Sequence, residues 1–244
     1  MGKLLLLLLS GAKLGKLAVT GGSMLLSVAV YALIFGWRYA VGFVALLFVH
    51  EAGHYIAARQ RGLEVGAPTF IPFVGAWIEL KDLPHDAETE AYVGLGGPLL
   101  GTVGAIACYF IAKVYEIPWL LAVSYAGFFL NLFNMIPLAP FDGGRITAVL
   151  SPRIWFLGVP VLAALFWFRP SPILILVAIL AAPQLWRAIR YRADSEEARG
   201  YYAVSGRAKL EYSLYYLVLL VFLALMTYDV HEQLQSLHAV RGGA

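Results

Sequence analysis

The stretch "FVHEAGHYIAA", residues 48–58, sets two imidazoles and a carboxylate inside a run of side chains otherwise suited to hydrocarbon. Ionisable groups are costly within a membrane span, so where they occur there they usually mark function. The rest of the chain says which solvent surrounds this segment. Of its 244 residues 61% are hydrophobic and 14% charged, and the mean hydropathy is +0.75. A soluble domain carries roughly 25% charged residues. The chain therefore reads as an all-α polytopic membrane protein. With about 20 residues needed per crossing, several crossings fit and a second soluble domain does not. One integral-membrane domain, 1–244, is expected, with a core over about 40–150 and C-terminal helices over about 154–229. The lone Cys108 offers no disulfide framework.

Working outward from residues 48–58, apolar spans are expected at 17–37, 40–60, 92–114, 119–138, 154–168, 172–189 and 210–229, about six to seven in all. The fifth and sixth are short and separated by "FRPSP", so they form either two spans or one broken hairpin. The leucine-rich start, "MGKLLLLLLSGAK", reads as an interfacial or shallowly inserted lead-in. Loop charges choose the orientation. With the N-terminus in the cytoplasm, 14 of the 18 basic residues fall on the cytoplasmic side. A multi-pass protein of a cell membrane, prokaryotic plasma or inner membrane, is expected. The net charge of +3 is spread over loops and carries no nucleic-acid signature. Between the second and third spans, "APTFIPFVGAWIEL" mixes aromatic and β-branched residues with Pro and Gly. That composition predicts a small membrane-associated β segment over about 64–80.

On a helix, His50 and His54 are four residues apart and project from one face, within reach of a single ion. Glu51 follows the first histidine and sits beside that ion rather than on it. This is the HExxH arrangement, in which two histidines bind zinc and the glutamate takes a proton from water. The plainer alternative is a histidine pair hydrogen-bonded to Glu51 inside a bundle. Catalytic zinc takes a third protein ligand. His85, His231 and His238 lie in segments expected in water. Asp142 instead follows a long apolar segment, in "NLFNMIPLAPFDGGRI", where a divalent cation would supply the missing charge. Pro137 and Pro140 interrupt the helix, and Gly143 and Gly144 permit a close turn. An ordinary turn at the membrane exit remains the competing reading of Asp142.

Taken together, "HEAGH" (His50–His54) and "NMIPLAPFDGG" (Asn134–Gly144) resemble the site-2 protease family of intramembrane zinc metalloproteases, peptidase family M50. A weaker match is "GPLLG", Gly97–Gly101. The resemblance covers roughly residues 40–150. It implies one zinc per chain held by His50, His54 and Asp142, with Glu51 as general base and Asn134 holding or polarising substrate. It further implies a strand edge, at Ala76 and Ile78, that pairs with an extended substrate. The partners implied are transmembrane protein substrates and the lipid bilayer, with a regulatory membrane partner or a homodimer left open. Phe141 replaces the family's usual Leu, and Gly101 stands where many members have Asn, which leaves open what hydrogen bond that Asn would have made. The implied activity is hydrolysis of peptide bonds in or near transmembrane segments. A catalytically inactive relative and a membrane metal transporter are the other two readings.

Overall fold

The computed structural model describes residues 2–66, 69–72, 75–77, 84–192 and 194–242, with side chains left undescribed at 2–17, 75–77, 197, 238 and 240–242. The chain begins with α1 (Gly2–Phe35) and α2 (Trp37–Gln60). Between them Gly36 adopts φ +83, a left-handed conformation that glycine takes without a Cβ penalty. Strands β1 (Thr69–Ile71) and β2 (Gly75–Trp77) follow, then α3 (Ala87–Val114), α4 (Pro118–Asn134) and the short α5 (Asp142–Thr147). A 3-10 segment over Pro152–Leu157 leads into α6 (Gly158–Phe168), and α7 (Pro172–Arg190), α8 (Glu196–Tyr201) and α9 (Gly206–Gly242) complete the chain.

Local chemistry sets several of these limits. Asp86 caps α3 by accepting from the Thr89 N–H at 2.7 Å, and Glu88 and Glu90 in the first turn complement the helix dipole. Pro118 opens α4, where its missing N–H costs nothing. Among the described residues five helices, α1, α2, α3, α7 and α9, contain stretches long and apolar enough to cross a membrane. Their large outward side chains are bare: Leu33 is 88% exposed and Trp167 in α6 is 83%. So much uncovered apolar surface suits hydrocarbon, not water.

Two expectations are refined. The lead-in is not a separate element, because α1 runs unbroken from Gly2. In the 154–189 region α6 has 11 residues and continues the 3-10 segment, so the apolar helical run Pro152–Phe168 is shorter than the roughly 20 residues of an ordinary crossing. It turns at Arg169–Ser171 into the 19-residue α7, so the broken-hairpin alternative fits this region.

The centre is α2 packed along α3, with α4 behind. The two backbones approach at glycines: a Cβ on Gly53 would overlap the Gly96 carbonyl, and one on Gly96 would meet the Ala57 methyl. Small residues permit such contact where lipid supplies no hydrophobic drive between helices. Phe128 and Met135 of the α4 region meet Leu219 and Leu223 of α9. Helix α4 ends at Asn134, and residues 135–141 cross beneath it without helical structure. Non-helical backbone at this depth requires its polar groups to be met by protein. Tyr216 donates to the Met135 carbonyl at 2.5 Å, Gln184 of α7 accepts from the Ala139 N–H at 2.5 Å, and Trp155 donates to the Gly144 carbonyl at 2.8 Å. Thus α7 and α9 both brace the segment that delivers Asp142.

The expected β segment is a two-stranded antiparallel hairpin with Phe70 opposite Ala76. The Phe70 N–H donates to Ser23 Oγ of α1 at 3.1 Å, so Phe70 points its backbone away from β2. In an antiparallel pair, directly opposed residues share this orientation. Ala76 therefore turns its N–H and C=O to the outer edge of β2, while α1 covers the outer edge of β1. On the other flank Tyr201 of α8 donates to Glu90 at 2.6 Å; burial and the neighbouring Glu90 carboxylate raise its phenol pKa, which keeps the donor protonated.

Candidate active site

Residues 50 and 54 lie in the C-terminal half of α2, on the face turned toward α3 and α4, where the Asp142 side chain at the start of α5 also reaches them. His50, Glu51, His54 and Asp142 are all buried. The Nε2 atoms of the two histidines are 3.2 Å apart, and Asp142 places Oδ2 at 3.1 Å from His50 Nε2 and Oδ1 at 3.1 Å from His54 Nε2. Among the described residues this is the one cluster of His, Cys and acidic groups with metal-ligand spacing.

The far side of each ring decides what those three atoms can do. His54 Nδ1 lies 2.8 Å from the Val93 carbonyl, an obligatory acceptor, so the proton is on Nδ1. His50 Nδ1 lies 2.8 Å from Asn131 Oδ1, and the same amide donates through Nδ2 to the Gly127 carbonyl at 2.7 Å. That second bond orients the amide, so His50 also carries its proton on Nδ1. Both Nε2 lone pairs then face the Asp142 carboxylate. Three acceptors converge with no donor among them, an arrangement that a cation satisfies. Tetrahedral zinc with bonds of about 2.0–2.1 Å separates its ligands by roughly 3.3 Å, close to the 3.2 Å between the two Nε2 atoms and the 3.1 Å from each of them to one Asp142 oxygen. Two histidines and one carboxylate form a ligand set of catalytic zinc, with a fourth position left free. The residues present fit zinc.

Glu51 takes no part in the hydrogen bonds that hold the imidazoles, as expected of a group beside the ion. Glycines make the room. A Cβ on Gly97 would overlap the His54 ring, and one on Gly101 would overlap the Asn131 amide. These two positions of "GPLLG" are four apart and share one face of α3. Gly143 and Gly144 pack so closely under residues 135–139 that added methyl groups would strike backbone. Phe141, buried before Asp142, stands edge-on to Phe133 with ring centroids 4.8 Å apart.

The other expected positions are placed differently. Asn134 ends α4, half-buried, outside the hydrogen bonds that fix the histidines. Ala76 lies in β2, which packs beside α2, and Ile78 lies outside the described residues. Sequence reading missed Asn131 and the Val93 carbonyl. Asn131 had a signal, a polar side chain inside the apolar run "YAGFFLNLFN"; a main-chain carbonyl has none.

Known zinc metalloproteases resemble this chain in sequence over part of its length. The family described as Peptidase family M50 matches residues 38–118, the stretch that carries His50, Glu51, His54 and the Gly97–Gly101 segment. A zinc metalloprotease of Methanocaldococcus jannaschii is 30% identical over 153 residues, covering 59% of this chain and 44% of its own length. Rip3 of Mycobacterium tuberculosis is 33% identical over 131 residues, 48% of this chain and 32% of its own length. The chain thus spans less than half the length of these relatives. A solved structure of a site-2 protease from Methanocaldococcus jannaschii superposes with a TM-score of 0.47 at 22% identity, covering 69% of this chain and 87% of that one. The match over residues 38–118 and the zinc metalloprotease relatives make this chain similar to members of Peptidase family M50 over part of its length.

Proposed function

We propose that this protein is an intramembrane zinc metalloprotease that hydrolyses peptide bonds in or near the transmembrane segments of membrane-protein substrates, using one zinc per chain. The observation that carries this reading is the convergence of three acceptor atoms from His50, His54 and Asp142, with an uncommitted carboxylate, Glu51, on the adjoining position of the same helix. Bound zinc supplies Lewis acidity, polarising a carbonyl and making water acidic enough to attack near neutral pH. Glu51 accepts a proton from the attacking water on its carboxylate and passes it to the departing amine. Asn134 holds the scissile carbonyl. The protein works in a prokaryotic cell membrane with its N-terminus in the cytoplasm, the orientation favoured by its basic loops.

The test uses the purified full chain in lipid nanodiscs with a single-span membrane substrate. Cleavage in or beside the span is expected, lost on chelation and restored by zinc. Cleavage indifferent to chelation, or absent at full zinc occupancy, would refute the reading.

A helical substrate hides its carbonyls in its own hydrogen bonds and must be drawn out as a strand; pairing with a free edge replaces those bonds. The outward N–H and C=O of Ala76 support the β2 edge as that partner. Proline at Ala76 removes the outward N–H but leaves the bonds to β1, which belong to Gly75 and Trp77. Ala76→Pro is therefore expected to slow cleavage of a helical substrate at least about tenfold, equivalent to about 1.4 kcal/mol, with zinc content unchanged and Ala76→Val close to wild type. Normal cleavage by the proline variant would remove the edge from the mechanism.

A further inference from the structure

We propose that Asn131 is a positioning residue that fixes the proton of His50 on Nδ1, and that Gly101 is glycine in order to admit its amide. The inference rests on the reading of His50 as a zinc ligand. The two histidines are held by unlike partners. His54 leans on a main-chain carbonyl, Val93, which no substitution removes; His50 leans on a side chain from another helix. Asn131 is 1% exposed and uses both ends of its amide, Oδ1 toward His50 and Nδ2 toward the Gly127 carbonyl. Turning the amide over would set its NH2 against the His50 N–H and its oxygen against a carbonyl, so one orientation is enforced. Without Oδ1 in place the imidazole can carry its proton on Nε2, where that proton would occupy the lone pair needed for the ion.

Position 101 shares this space. An ideal Cβ there would lie among the amide atoms of Asn131, 3.0 Å from Cγ and 2.9 Å from Nδ2. Its separation from Oδ1 matches that between Cβ and Oδ1 within one asparagine side chain. Any side chain at 101 thus displaces the amide, and an asparagine at 101 could set its own oxygen on the same spot. The acceptor for His50 can come from α4 or from α3, but not from both at once.

The experiment measures zinc affinity of the full chain in nanodiscs by competition with a chromophoric chelator, and the His50 tautomer in metal-free protein by 15N NMR. Asn131→Ala and Gly101→Ala are each expected to weaken zinc binding about 10- to 100-fold, the usual effect of removing a hydrogen bond that supports a ligand. The double variant Asn131→Ala/Gly101→Asn should recover most of that loss. Asn131→Leu, which keeps the branching of the side chain but lacks an acceptor, should behave as Asn131→Ala and serves if the smaller variant fails to fold. In the metal-free wild type, His50 should carry its proton on Nδ1.

Undiminished zinc affinity in a folded Asn131→Ala or Asn131→Leu variant, or a proton on Nε2 in metal-free wild type, overturns the role of Asn131. A double variant as weak as the single overturns the reciprocity with Gly101. A wild-type chain that binds no zinc defeats the proposed function instead, and the tautomer measurement still judges Asn131 separately.

Discussion

Asp142→Ala is expected to reduce zinc in the purified protein from about one per chain to near zero while leaving the bundle folded. The carboxylate contributes one ligand atom, and with it gone two imidazoles remain for an ion that wants three protein ligands. The loss of affinity should exceed the roughly 10- to 100-fold that follows removal of a supporting hydrogen bond. Folding should survive, because the segment that carries Asp142 is held by groups other than its side chain. Tyr216 binds the Met135 carbonyl, Gln184 the Ala139 N–H and Trp155 the Gly144 carbonyl. Apolar contacts of Leu138, Phe141 and Ala148 with α6 and α7 remain as well. Metal analysis of the purified variant, beside a thermal unfolding curve in the presence of chelator, separates the two effects. Zinc at wild-type occupancy in Asp142→Ala would remove Asp142 from the ligand set and require another third ligand.

What the sequence made legible follows from how local each signal is. The four-residue spacing of His50 and His54 fixes their relation on any helix, and Asp142 after Pro137 and Pro140 marks a broken helix whatever packs around it. Alternating aromatic, Pro and Gly residues announced a β segment near 64–80, and β1 and β2 lie within it. Relations between distant segments were not legible in this way. Nothing local to "GPLLG" says that Gly97 clears the His54 ring or that Gly101 clears Asn131, since the partners lie 43 and 30 residues away by their sequence numbers. Asn131 stands three residues before Asn134 and outside the motif that Asn134 begins. The outward edge at Ala76 became readable through one long-range hydrogen bond, Phe70 to Ser23. The number of crossings was not legible: residues 154–168 are apolar enough to cross, yet they are divided between a 3-10 segment over Pro152–Leu157 and the 11-residue α6.

Glu51→Gln separates chemistry from architecture more sharply than any ligand variant. The substitution keeps the shape of a buried side chain and removes its capacity to take a proton. Zinc content should stay at about one per chain, since the imidazoles are held by Val93 and Asn131 and Asp142, the proposed third ligand, is untouched. Cleavage should fall about 10²- to 10⁴-fold, the range over which a positioned proton acceptor contributes. Single-turnover cleavage of a membrane-spanning substrate, with metal measured on the same sample, gives both numbers, and an Asp142→Ala preparation supplies the background from contaminating proteases. Turnover within a few-fold of wild type above that background would take Glu51 out of the mechanism. Loss of zinc from Glu51→Gln would make the carboxylate part of the scaffold instead, and the proton would need another carrier. A metal transporter built on the same three ligands makes the opposite forecast: it has no cleavage for Glu51 to support, so wild type and Glu51→Gln would both be inert toward the substrate at full zinc occupancy.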